Sequence, residues 1–427
     1  MVAQNVSLDP KQLIPRVVGR YTPVFVDHGE GIYVWDVNGE RYMDFTSGIA
    51  VTNTGHCHPK VVAAIQEQAA KIIHAQQNIF VHESMLKASA ELTSMLPASL
   101  NQVFWTNSGA EAVEGAIKLA KVATRRPAVI AFRGAFHGRT HGAMSVTSSR
   151  SKVRGHYEPL LAGVYFAPYP YHFRNPYSGD AADADLKYFE EVEYLFETMV
   201  MPDDVAAVII ETIAGEGGYL VPTARFLQKL RALCDKHGIM LIMDEIQSGV
   251  GRTGKMWGFE HFDVVPDIIT VAKGIASGMP VSAVVSDKAI MEKWAPGSHG
   301  GTYGGNAVGT AAAYATLKVI KDEHIVENSA RMGTLLSDGL RAIQADYPVI
   351  GDVRGLGLMV AAEFVKPDGS PNPEAVAKVI AACLEQKVLL LNCGTFDQAI
   401  LIIPPLVVNE AQINEFLAIF RQAVAGL

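Results

Sequence analysis

Ile239-Met-Leu-Ile-Met-Asp-Glu-Ile-Gln-Ser-Gly249 is an apolar run that breaks into Asp244, Glu245 and Gln247. A short apolar run that ends this way reads as a buried strand delivering polar groups at its carboxyl end. The next run of the same kind, Asp267-Ile-Ile-Thr-Val-Ala-Lys273, ends on a lysine. As strands of one parallel sheet, the two runs bring Asp244 and Lys273 to the same edge.

Working outward, apolar strands over 102–106, 128–132, 205–211 and 281–285 alternate with helical patterns such as Ala110 to Thr124 and Ala224 to His237. That alternation is the signature of an α/β chain with a mainly parallel sheet covered by helices on both faces. Near the amino end, Tyr33-Val-Trp-Asp-Val and Glu40-Arg-Tyr-Met-Asp-Phe45 flank Asn38-Gly39, which predicts a hairpin with a type I′ turn at that dipeptide. After 325 the pattern changes to helix 325–345, strands near 352–364, helix 373–386, strands 388–392 and 399–403, and helix 410–425. A small α+β unit follows, which also takes in the amino terminus. The expected division is 1–60 and 325–427 for the small domain and 61–324 for the large one. Asp180 to Asp185 reads as a short polar loop, and no internal repeat or low-complexity segment is found.

The 427 residues are enough for two domains with sizeable cores. A net charge of −8 argues against nucleic acid as a partner, since binding a phosphate backbone needs clustered Lys and Arg. The densest basic stretches, Lys121 to Arg126 and Arg150 to Arg154, read as solvated faces. Cys57, Cys234, Cys383 and Cys393 lack CxxC spacing, so neither a zinc site nor a disulfide framework is indicated and a reducing cytoplasm is expected. Met1 to Pro15 does not read as a signal peptide, and no apolar run is long enough to cross a membrane. His56 and His58 resemble a metal-ligand pair. The intervening Cys57, the following Pro59 and the lack of a carboxylate partner favour a structural loop, with no metal expected.

The chemistry lies in the order of the pieces. Thr106-Asn-Ser-Gly-Ala-Glu-Ala-Val-Glu114 follows the first strand of the large unit and opens a helix. The amides of Ser108, Gly109 and Ala110 point toward an anion that the helix dipole also favours, and Gly109 has no side chain to block its approach. Taken alone, this is an ordinary serine cap, and a lysine at a strand end is usually solvated. In this chain the loop is followed by Gly134-Ala-Phe-His-Gly-Arg-Thr140, then Asp244, then Lys273. Together they meet the needs of pyridoxal phosphate (PLP): an amine for the cofactor aldehyde, a carboxylate that keeps the pyridine nitrogen protonated, and a phosphate cradle.

These motifs recur in an order that resembles the class III (subgroup II) PLP-dependent aminotransferases, above all 4-aminobutyrate, acetylornithine and omega-amine aminotransferases. Trp35-Asp-Val-Asn-Gly-Glu-Arg-Tyr-Met-Asp-Phe45, Asn53-Thr-Gly-His-Cys-His-Pro59, Gly215-Glu-Gly-Gly218 and Gly300-Gly-Thr-Tyr-Gly-Gly-Asn306 add to it, so the resemblance covers nearly the whole chain. It implies PLP fold type I, which is aspartate-aminotransferase-like, and a homodimer or dimer of dimers. Lys273 would be covalent anchor and proton carrier, with Asp244 at the ring nitrogen. Ser108, Gly109 and Ala110 would hold the phosphate, Phe136 would stack on the ring, His137 would count among the cofactor contacts, and Gln247 would bond the phenolic oxygen. Thr302 would reach the phosphate in the neighbouring subunit.

For substrate, the resemblance implies that Arg139 grips the distal carboxylate of an ω-amino acid, with Ile49 as an apolar wall. Relatives resembling 4-aminobutyrate aminotransferase carry an arginine in Leu-Arg-Ile-x-Pro-Pro-Leu, a bidentate grip for an α-carboxylate. Here Ala399-Ile-Leu-Ile-Ile-Pro-Pro-Leu406 puts Leu401 at that position. Glu216 then loses its usual partner and turns to Arg139 or to a substrate ammonium. The expected reaction is ping-pong transfer of an amino group from an ω-amino acid or amine to a 2-oxo acid. Two alternatives stand beside it: an amino-acid racemase or epimerase of the same fold, and a PLP-binding protein without turnover.

Overall fold

The computed structural model describes residues 10–177 and 179–427. The first nine residues, part of the expected small domain, lie outside the described residues. Strands β1 (Val26–Glu30), β2 (Tyr33–Asp36) and β3 (Arg41–Asp44) form an antiparallel meander. The expected β2–β3 hairpin is present, but its turn is not type I′. Trp35 pairs with Arg41 and only Gly39 takes a positive φ, of 84°, so the loop has three residues with a glycine bulge. Asp36 causes this: its Oδ1 accepts the amides of Asn38 and Glu40, both at 2.9 Å, and holds Asn38 out of the left-handed region.

The large sheet comprises β4 (Gln102–Thr106), β5 (Ala128–Phe132), β6 (Val164–Ala167), β7 (Val205–Glu211), β8 (Met240–Asp244), β9 (Ile268–Val271) and β10 (Ser282–Ser286), in the order β4-β10-β9-β8-β7-β5-β6. From β9 to β6 neighbouring strands run parallel, and β10 runs antiparallel to both β9 and β4. Both faces are covered, which is why these strands read as unbroken apolar runs. Val208, Ile210, Leu241 and Met243 enter one core, while Ala207, Ile209 and Ile242 enter the other, the period-two alternation of a strand. Among the covering helices, Gly109–Thr124 is capped by Ser108 and Ala224–His237 by Thr223.

Strands β11 (Ile350–Leu356), β12 (Met359–Phe364), β13 (Val388–Leu389), β14 (Leu391–Cys393) and β15 (Ala399–Ile402) complete the chain with helices Ile325–Asp346, Pro373–Glu385 and Glu410–Ala425. The third sheet has the order β11-β12-β15-β14, and β13 pairs in parallel with β3, joining the two ends of the chain. No helix among the described residues is long and apolar enough to cross a membrane.

Three local expectations are corrected. The stretch 180–185 is not a loop, because helix Ala181–Thr198 begins within it, started by the Asp180 carboxylate accepting the Asp183 amide at 3.0 Å. The basic stretches are solvated only in part, with Arg125 and Lys152 exposed. Arg126 donates to the carbonyls of Val205, His237 and Gly238, Arg154 donates to that of Thr147, and Arg150 pairs with Asp397. Both histidines of the His56–His58 loop do have carboxylate partners, Asp44 at 2.8 Å and Glu323 at 3.3 Å, and each ties the loop to a different element.

Candidate active site

The carboxyl ends of β7, β8 and β9 open into a cavity of about 560 Å³. A parallel sheet collects the ends of its strands on one edge, so Glu211, Asp244 and Lys273 all reach this space. Asp244 closes β8 with both oxygens engaged. Oδ1 accepts the Ile246 amide and the Thr270 hydroxyl, each at 3.0 Å, and Oδ2 lies 2.7 Å from His137 Nδ1. Burial opposes charge on the His137 ring, but the Asp244 hydrogen bond and charge outweigh it and raise the pKa of the imidazole. Its backbone is pinned as well, with the His137 amide donating to Thr147 Oγ1 at 2.9 Å.

Lys273 follows β9 at φ 48°, in the left-handed region. Among the described residues its amine makes no hydrogen bond or ion pair. Burial pulls its pKa below the ordinary value, against the pull of Glu216, Asp244 and Glu211. A lysine held this way loses its proton more readily, so more of it stands as the free amine that can act as a nucleophile or take a proton.

At the amino end of helix Gly109–Thr124, Ser108 is fixed from behind: its carbonyl accepts from Ser282 Oγ at 2.8 Å and its own Oγ accepts the Glu111 amide at 3.3 Å. Glu111 in turn takes the Asn107 amide at 2.9 Å. The amides of Ser108, Gly109 and Ala110 then have no partner among the described residues, and all three residues line the cavity. Such a helix start binds anions.

Phe136, His137, Arg139 and Gln247 also line the cavity, as do Ile49 and Glu216. The Arg139 guanidinium lies 5.7 Å from the Phe136 ring centroid. Glu216 is half-buried, and the suggested pairing with Arg139 is not formed, nor is any other ion pair of Glu216 among the described residues. Two expected site residues fall outside this wall. Thr302 is exposed on a loop bordering a separate depression with Trp105, Glu111 and His299. Leu401 is 2% exposed, paired across the sheet with Ala361 and Leu391 in an apolar cluster with Ala50 and Tyr219.

One ionisable residue of the cavity went unread in the sequence. Glu211 closes β7 in register with Asp244, and an acid ending the run Val205-Ala-Ala-Val-Ile-Ile-Glu211 gives the same signal that marked Asp244. It is buried, with Oε1 accepting the Phe136 amide at 2.8 Å and Oε2 the Gly215 amide at 2.9 Å. It therefore fixes two cavity walls at once. Glu245, by contrast, turns away into the core, where Thr212, Ser248 and the amides of Gly258 and Phe259 saturate it.

The family model described as Aminotransferase class-III matches residues 16–424. The 5-aminovalerate aminotransferase DavT of Pseudomonas aeruginosa is 41% identical over 412 residues, covering 96% of this chain and 95% of its own. The 4-aminobutyrate aminotransferase GabT of Escherichia coli is 40% identical over 414 residues, 96% of each chain. Among solved structures, an amine transaminase from an uncultivated Pseudomonas species in its PLP-bound form superposes with a TM-score of 0.90 at 28% identity, covering 95% of both chains.

Proposed function

The chain belongs to the class-III aminotransferases, and we propose that it moves an amino group from an ω-amino acid or amine to a 2-oxo acid by a ping-pong cycle, with pyridoxal phosphate as its cofactor. The observation that carries this reading is the convergence of three things in one cavity of about 560 Å³: a half-buried lysine without a partner among the described residues, a clamped carboxylate and three free amides at a helix start. A cavity of that volume suits a cofactor with a small substrate.

The donor set fits the cofactor. The amides of Ser108, Gly109 and Ala110 would hold its phosphate, Asp244 would keep the ring nitrogen protonated, Gln247 would bond the phenolic oxygen, and Phe136 would cover one face of the ring. When bound, the cofactor supplies an aldehyde that captures amines and a ring that withdraws electrons from the substrate carbon. His137 and Thr270 hold Asp244 in place, so its charge needs no rearrangement during the reaction. Lys273 Nζ takes the proton from the amine-bearing carbon, and its lowered basicity lets it give the proton back. Phe136 and Ile49 exclude water from that carbon, and Arg139 at the rim takes the distal carboxylate of an ω-amino acid.

We also read 61–324 as the large domain and 1–60 with 325–427 as the small one, a grouping supported by the pairing of β13 with β3. A homodimer or dimer of dimers fits the exposed Thr302, which would serve the neighbouring subunit's phosphate. The four free cysteines support a cytoplasmic location.

The test is a half-reaction. Purified holoenzyme mixed with 4-aminobutyrate, 5-aminovalerate or alanine should change the absorbance of its bound cofactor, and 2-oxoglutarate or pyruvate should restore it. A spectrum unmoved by any donor would identify a silent binder. Loss of optical rotation from L-alanine without formation of a keto acid would identify a racemase.

A further inference from the structure

We propose that Glu216 makes part of the cavity a cation subsite, which selects amine donors that carry a second ammonium group. The Glu216 carboxylate faces the cavity from a loop with little freedom. The Gly218 amide closes a turn onto the Gly215 carbonyl at 2.9 Å. From the carboxyl-terminal sheet, the Gly394 amide donates to the Glu216 carbonyl at 3.0 Å and Arg354 Nε to the Gly218 carbonyl at 2.7 Å. The backbone is therefore fixed on both sides of the side chain.

Glu216 is half-buried and its carboxylate makes no hydrogen bond or ion pair among the described residues. The surrounding cations are committed elsewhere. Arg354 is held by Asp352 and Glu363, and Arg150 by Asp397. The buried Arg252 directs its terminal nitrogens to the carbonyls of Leu358 and Pro404, to Asn53 and to Ser47, while its Nε has no partner among the described residues. Arg139, at the exposed rim, lies against Phe136, and β15 contributes the apolar Leu401 rather than a cation. Within the wall, the Glu216 charge acts on Lys273, and that amine is the reacting group. A carboxylate that lines a cavity without a partner among the described residues is open to a ligand ammonium through a charge-assisted contact. Diamines and basic ω-amines have that second charge.

The inference rests on this cavity being where amine transfer occurs, and its test separates the two. A series of α,ω-diamines from the propane to the hexane backbone is compared with monoamines of matched length. In the wild type, the best diamine should exceed its monoamine in kcat/KM by roughly tenfold to a hundredfold. Glu216→Gln should collapse that ratio toward unity, and Glu216→Asp, one methylene shorter, should move the preference to a longer diamine. No preference at any length, or a ratio that survives Glu216→Gln, overturns the proposal. Should no donor react at all, the transaminase reading fails instead. Calorimetry in the Lys273→Ala background then decides the subsite on binding alone: tighter diamine binding that Glu216→Gln removes upholds it, and equal affinities refute it.

Discussion

Replacing Glu211 with glutamine tests the electrostatics of the cavity through its pH dependence. Glu211 is 6% exposed, and burial is the largest influence on its carboxyl. Asp244 adds to that effect, while His137 and the Phe136 and Gly215 amides oppose it, leaving the pKa raised from 4.5 to about 7. At 1.36 kcal/mol per unit, the shift corresponds to ~3 kcal/mol. Because the folded acid holds its proton more tightly than the unfolded one, its contribution is fully present below pH 4.5 and is lost as the pH rises through about 7. Glutamine cannot ionise, so the variant lacks this slope whatever fixed cost it carries from placing an NH₂ group near the Gly215 amide. A chain of this length unfolds with an entropy of roughly 0.9 kcal/mol/K, so the Tm of the variant relative to wild type should rise by roughly 3 °C between pH 5 and pH 8. Calorimetric scans of both proteins at one scan rate read that difference. Parallel profiles across the range would show that Glu211 does not titrate there and that the cavity floor is wetter than its geometry indicates.

Four further outcomes are expected. Lys273→Ala should abolish transamination while the amides of Ser108 to Ala110 still retain some cofactor noncovalently, read as absorbance surviving dialysis; full activity would remove the lysine from its role. Asp244→Ala should slow the half-reaction by several orders of magnitude in stopped-flow traces, since a neutral pyridine is a poor electron sink. Arg139→Ala should raise KM for 4-aminobutyrate and 5-aminovalerate by roughly tenfold to a hundredfold and leave alkylamines nearly unaffected, and an equal effect on both classes would exclude it as the carboxylate grip. Leu401→Arg should raise kcat/KM for 2-oxoglutarate relative to pyruvate and lower Tm, because the guanidinium must leave an apolar cluster to reach Glu216; an unchanged ratio would show that this position does not set specificity.

Most of the large sheet was legible because its central strands are buried on both faces, so that runs such as Val205–Glu211 carry no competing pattern, whereas the half-buried edge strand Val164–Ala167 was not read. The same simplicity exposed Asp244 and Lys273, polar residues at the ends of apolar strands. Less legible was anything decided by one side chain acting on the backbone. Asp36 turned a two-residue hairpin loop into a three-residue one, and Asp180 started a helix inside a polar stretch. Charge alone could not separate solvated arginines from Arg126, whose partners are carbonyls at the ends of distant elements. Leu401 shows a further limit. Its chemistry was readable but its depth was not, because the register of β15 against β12 and β14 decides which face a residue occupies.

Two residues of the cavity wall carry backbone strain. Ile49 at φ 68° and Lys273 at φ 48° are in the left-handed region, as are Val250 at φ 58° and Ser277 at φ 44° outside the wall. For the β-branched Ile49 and Val250 this is a true outlier, and each such residue costs on the order of 1–3 kcal/mol. The conformations persist because neighbouring contacts over-determine them. Asn53 Nδ2 donates to the Val250 carbonyl at 2.8 Å, Thr54 Oγ1 to Ser277 Oγ at 2.9 Å, and Ser47 Oγ to the Ile403 carbonyl at 2.7 Å. Arg252 joins these ties from within the core, reaching Asn53 Oδ1 at 2.8 Å and Ser47 Oγ at 3.3 Å. The left-handed turn at Lys273 ends β9 and leaves its amine in the cavity beside the strand ends. Its placement depends on contacts from the amino-terminal segment and the carboxyl-terminal sheet as much as on β9 itself. The turn that carries the reactive amine is thus tied to residues far from it in the chain, Asn53 and Thr54 among them.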